Sequence, residues 1–292
     1  MRRDLVEALA SAAHASGTGL AEAALVIARI EYPKLESAPY LARLDAMGEA
    51  ARQRIAREVE ETGNDSPATC VSGINAYLFG EQRFAGNRER YEDPRNSCLN
   101  EVLDRRSGIP ITLSVVYMEV GRRAGLTIDG VNFPGHFLVR VPDGSGTLPR
   151  SLIVDPFHGG ALLSESDCRT LLQKHVGSEI AFSRTLMAPA TRTQIIVRML
   201  LNLKRLYMHM RSFPQARLVT EMLLALTPSA LSELRDRGLL AYHLNDVNSA
   251  LHDLQTYLKL ASMGEATDDT REEHRQLWEH VKTLRRRVAG LN

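Results

Sequence analysis

The chain has 292 residues, enough for one large domain or two ordinary ones, each with a proper core. Its 36 basic residues stand against 35 acidic ones, a balance that excludes a whole-molecule field drawing it to nucleic acid or anionic lipid. The three cysteines, Cys70, Cys98 and Cys168, are odd in number and lack a CxxC pair, which excludes a disulfide framework or structural zinc site and fits a reducing cytoplasm.

The opening MRRDLVEALASAAHASG mixes Asp4, Glu7 and His14 into its apolar positions, unlike a secretory signal. No run approaches the ~18 to 20 apolar residues of a membrane span. A soluble cytoplasmic protein is expected. Over residues 4–61, apolar positions recur at three and four, and breaks at Gly17, Gly19, Pro33 and Pro39 divide the stretch into about three helices. Residues 62–98 read as a helix around INAYLF and a polar surface connection, GNRERYEDPRNS. A short helical segment follows at 99–103. A clear helix then begins in IPITLSVVYMEVGRRAGL, with Pro110 in its first turn and Gly125 at its C-terminal end.

The rhythm next changes to strands. GVNFPGHFLVRV and SLIVDPF are rich in Val, Ile and Phe and flank the turn-rich PDGSGTLPR, which reads as an antiparallel pair with a loop between. Helical pattern resumes near Leu162 and runs unbroken from Thr191. In the last hundred residues Leu206 and Leu240, Ala216 and Ala250, Leu224 and Leu258, and Leu226 and Leu260 keep one offset of 34 residues. That period is the tetratricopeptide one. Leu203, Tyr207, Ala216 and Pro228 resemble its motif in the first unit and Gly238, Ala250 and Leu254 in the second, with Ser262 in place of the terminal proline. Helix hairpins of this kind need neighbours, so a third pair from flanking helices, including residues 272–288, is expected to cover them.

A helix opened by Gly108, then a strand segment with His136, then a strand with Asp155, resembles the layout of transglutaminase and papain-like cores. In such cores a cysteine at the helix mouth is activated by the imidazole and the helix dipole, and the carboxylate orients the ring. By that resemblance the Gly-x-Cys falls on Gly108, Ile109 and Pro110, so the cysteine is lost: proline has no nucleophilic atom. Thr112, Ser114 and Cys98 are the weak substitutes, the hydroxyls otherwise capping and packing the helix and the thiol otherwise lying buried. Asn100, Glu101 and Arg140 are candidate ligand contacts at the rim of a cleft. His136, Asp155 and His158 are proper metal-ligand types, but their spacing is unspecific, and neither metal nor cofactor is expected.

The runs NEVL, RRSGIPITLS and NFPGHFLVR, with IVDPF and the C-terminal repeats, resemble the SirB-type bacterial family, whose transglutaminase-like domain also occurs in certain eukaryotic F-box proteins. The resemblance implies a mostly helical α+β fold, with a papain-like core and small antiparallel sheet in residues 1–188 and α-α repeats in 189–292. It also implies a protein-interaction or regulatory role, with a peptide or protein partner held by the repeats. The other reading is a cryptic hydrolase or acyltransferase using His136 and Asp155 with Thr112, Ser114 or Cys98. The basic runs RRSG and TLRRRVAG lack interleaved aromatics, so nucleic acid is not the expected partner.

Overall fold

A computed structural model describes residues 2–15, 19–143, 151–177, 180–262 and 268–289. The chain divides into two compact units, residues 11–199 and residues 1–10 with 200–292.

After α1 (Arg2–His14), most of which belongs to the other unit, the residue 11–199 unit continues with α2 (Leu20–Ala28), α3 (Ala38–Thr62) and α4 (Pro67–Asn75). Pro39 sits in the first turn of α3, where its missing N–H leaves no helical bond unmade. Gly17 lies outside the described residues. The connection expected at the surface is largely there, with residues 86–95 exposed or partly exposed, and it turns inward only at Asn96, Ser97 and Cys98, while Ile74, Tyr77 and Leu78 of the preceding helical segment are buried. A long-range stitch anchors it. β1 (Ala85–Gly86) pairs in parallel with β2 (Ser107–Gly108), and the amides of Ala85 and Asn87 donate to the carbonyls of Arg106 and Gly108. Beyond α5 (Leu99–Arg105), α6 (Pro110–Arg123) is buried at every position from Pro110 to Gly121, the pattern of a helix surrounded by its own domain.

The sheet has four antiparallel strands in sequential order: β3 (Asp129–Val131), β4 (Leu138–Val141), β5 (Leu152–Asp155) and β6 (Ala161–Leu163). GVNFPGHFLVRV, one apolar run by eye, is a hairpin, because Pro134 and Gly135 turn the chain and the His136 amide closes back on the Phe133 carbonyl. Leu162, expected to open a helix, lies on β6 opposite Val154. The helix waits for Ser164, whose hydroxyl accepts from the Asp167 amide while the Asp167 carboxylate accepts from the Ser164 amide. From there α7 (Glu165–Val176) lays Cys168 and Leu172 on Val131, Leu138 and Ile153 of the sheet and on Phe133 of the β3–β4 turn. Residues 144–150 of the β4–β5 loop lie outside the described residues.

α8 (Arg192–His209) leads into the repeat unit, followed by α9 (Phe213–Leu226), α10 (Leu231–His243), α11 (Val247–Ala261) and α12 (Asp268–Ala289). The repeat is geometric as well as sequential: Arg211 and Asn245, 34 residues apart, both take the left-handed conformation at the hairpin turns. Leu260 departs from it, being 41% exposed where Leu226 is buried. Leu277, Val281 and Leu284 of α12 close over Ala250, Leu254, Tyr257 and Leu258. Among the described residues this single helix, rather than a further hairpin, covers α11. No helix among them is long and apolar enough to cross a membrane.

Candidate functional site

Strand register assembles the site. Val139 pairs with Val154, so one step further along the ladder Leu138 lies opposite Asp155, and His136 comes to the same end of the sheet. His136 is therefore on the turn before β4 rather than within a strand. Its Nε2 lies 3.0 Å from Asp155 Oδ2, and both residues are buried. The same oxygen is 2.7 Å from Nδ1 of His158, whose side chain is 37% exposed. Asp155 Oδ1 accepts from the amides of Phe157 and His158, which start the 3-10 turn Pro156–His158 and lock the carboxylate in place.

The His136 ring is flanked by two further imidazoles, His158 with centroids 5.8 Å apart and His175 with centroids 5.5 Å apart, and it meets the edge of Phe157. Burial acts to raise the Asp155 pKa. Hydrogen bonds and charge from His136, then His158, outweigh it and hold the carboxyl below its ordinary value, so it is ionised at neutral pH. Desolvation, then repulsion from His136, lowers the pKa of His175. Gly135 makes this packing possible: its φ is 71°, and a Cβ there would overlap the Cβ of His175.

Phe157 links the cluster to the mouth of α6, since a Cβ on Gly86, the partner of Gly108 in β2, would lie 2.6 Å from the Phe157 ring. Pro110 opens the helix there, buried. None of the substitute nucleophiles is hydrogen-bonded to His136. Thr112 Oγ1 accepts from the Ile109 amide and donates to the Asn96 carbonyl, 2.7 Å away, anchoring the helix start. Ser114 is fully buried and its hydroxyl has no partner. Cys98 points its thiol at the Pro94 carbonyl, and burial pushes its pKa up to about 12.

The three proposed rim residues lie on two elements, two of them adjacent on α5 and one on β4. Asn100 is buried in α5; Glu101 pairs with Arg105 at 3.2 Å; Arg140, buried on β4, lies 3.6 Å from Asp129 across the strand pair. The structure adds residues that no motif marked. Asn96 accepts from Asn87 and Arg105 and donates to the Arg90 carbonyl, holding the loop whose Tyr91 meets Phe157 edge-on. His175, on a polar amphipathic helix, carried no sequence signal at all. Among the described residues His136, Asp155 and His158 are the one group of histidine, cysteine and carboxylate side chains placed to share a metal ion.

Residues 38–201 match the profile of the transglutaminase-like superfamily, and residues 203–278 match that of the tetratricopeptide repeat. The chain is 39% identical over 244 residues to a UPF0162 protein of Xylella fastidiosa, covering 82% of this chain and 83% of the relative. It is 27% identical over 184 residues to Protein SirB1 of Salmonella typhimurium, covering 63% and 67%. Mouse F-box only protein 21 is 36% identical over 110 residues, 36% of this chain and 18% of that protein.

Proposed function

Because the chain belongs to the transglutaminase-like superfamily, in the SirB-type group where that domain precedes tetratricopeptide repeats, we propose that it is a noncatalytic protein-interaction or regulatory scaffold of the cytoplasm. In this reading residues 1–188 form the platform and residues 189–292 hold a protein or peptide partner.

The observation that carries the proposal is the company His136 keeps. Its Nε2 is committed to Asp155, the helix mouth is occupied by proline, and the hydroxyls and thiol nearest in sequence are bonded elsewhere or, at Ser114, fully buried. Without an atom to activate, an oriented imidazole performs no acyl transfer. The repeats supply the complementary surface. Leu201 and Met208, two turns apart on α8, are 38% and 42% exposed, and such a stripe suits an amphipathic or extended peptide.

Two measurements on the full chain test this. Fluorophosphonate and iodoacetamide probes are expected to give no labelling that depends on His136; labelling of the wild type that disappears in H136N would establish a nucleophile and sink the reading. Affinity capture is expected to recover a partner with the wild type and to lose it with L201D/M208D.

A further inference from the structure

We propose that His136, Asp155 and His158 bind a divalent transition metal ion of the zinc class at the open end of the sheet. The three ligand atoms lie within 4.8 Å of one another. Both imidazole nitrogens already converge on one carboxylate oxygen, at 3.0 and 2.7 Å. In a tetrahedral site with metal bonds near 2.0 to 2.2 Å, ligand atoms stand about 3.3 Å apart. Accommodating an ion therefore requires each ring nitrogen to draw back from Oδ2 by a few tenths of an ångström and the side chains to close any excess in the nitrogen–nitrogen gap, which is within 4.8 Å. In the bound state the nitrogen that each neutral imidazole turns to the ion carries no hydrogen, and the single ring hydrogen sits on the other nitrogen.

Three features favour a metal over a merely structural cluster. One imidazole suffices to satisfy a buried aspartate oxygen, yet a second is brought to the same atom from a half-exposed position. The carboxylate is oriented from behind by the Phe157 and His158 amides, the outer-sphere support that metal ligands require. The site is also closed on one side and open on the other: His136 and Asp155 form a buried floor, while exposed His158 leaves room for water as a fourth ligand. Two nitrogens and one oxygen select zinc, cobalt or nickel over calcium and magnesium, which take oxygen sets.

The test uses the full chain stripped with EDTA and titrated with zinc chloride by calorimetry, with cobalt chloride as a spectroscopic probe. One equivalent of zinc is expected, together with the visible bands of tetrahedral or five-coordinate cobalt. H158A, which removes the exposed ligand, is expected to weaken binding on the order of 100-fold, since even outer-sphere losses cost about 10- to 100-fold. H243A, in the repeat unit, is expected to bind as the wild type does. A second measurement needs no variant: bound zinc shields His158 from diethylpyrocarbonate, read by peptide mass mapping. Absence of stoichiometric zinc binding, undiminished affinity in H158A, or equal modification of His158 with and without zinc would each overturn the proposal.

Discussion

At the scale of single residues, the histidine cluster depends on a position with no functional group. Gly135 adopts a left-handed backbone and packs against His175, so an alanine there meets two separate penalties. The backbone term is on the order of 1 to 3 kcal/mol for a non-glycine residue in that region. Overlap of the new Cβ with His175 adds to it. Gly125 is a natural control: its φ is 92°, but a Cβ there would meet nothing within 4 Å, so G125A bears the backbone term alone. Urea denaturation is expected to rank G135A as the more destabilised. Equal losses in the two variants would show that the His175 contact costs nothing. The same residue explains why His136 is not a strand histidine: the turn that Gly135 permits is what swings the ring to the carboxylate.

At the scale of elements, the ends of helices decide more than their middles. Asp246 caps α11 by accepting from the Ser249 amide at 3.3 Å and also pairs with Arg217 at 2.8 Å. The bond to Ser249, then that to Arg217, lowers its pKa. A carboxyl whose folded pKa is depressed contributes stability that is present above the unfolded value, about 3.9, and is lost as pH falls through the folded one. Asparagine also caps helices but does not titrate. Melting temperature followed from pH 7 to pH 2.5 is therefore expected to fall less steeply in D246N than in the wild type. An unchanged acid limb would remove Asp246 from the account. Capping also governs β6: Leu162 has an apolar helical neighbourhood, yet Ser164 and Asp167 start the helix two residues later and leave Leu162 to the sheet.

At the scale of the molecule, charge is nearly neutral in sum and much of it is spent internally. Arg237 grips buried Asp253 through two bonds of 2.7 and 2.8 Å, and Lys204 holds Glu233 and Asp236. Charges paired in this way project little field beyond a Debye length of about 8 Å at physiological salt. The chain is accordingly expected to pass through a heparin column at that ionic strength without retention. Retention that salt reverses would reveal a basic face and reopen nucleic acid as a partner.

The amino-acid sequence by itself determined most of the helices, the β4–β5 strand pair, the 34-residue period and the absence of sulfur at the mouth of α6, because each is local: turn chemistry, apolar spacing and residue identity act within a few positions of the chain. His136 and Asp155 were legible through the motifs around them. Only the tertiary structure decided that residues 85–86 pair with residues 107–108, a two-residue strand pairing that leaves no periodic trace. It alone brought His175 beside His136 from another element and set His158 and His136 on a single carboxylate oxygen. Convergence of that kind is fixed by strand register and turn geometry, and spacing along a chain does not encode distance across a sheet.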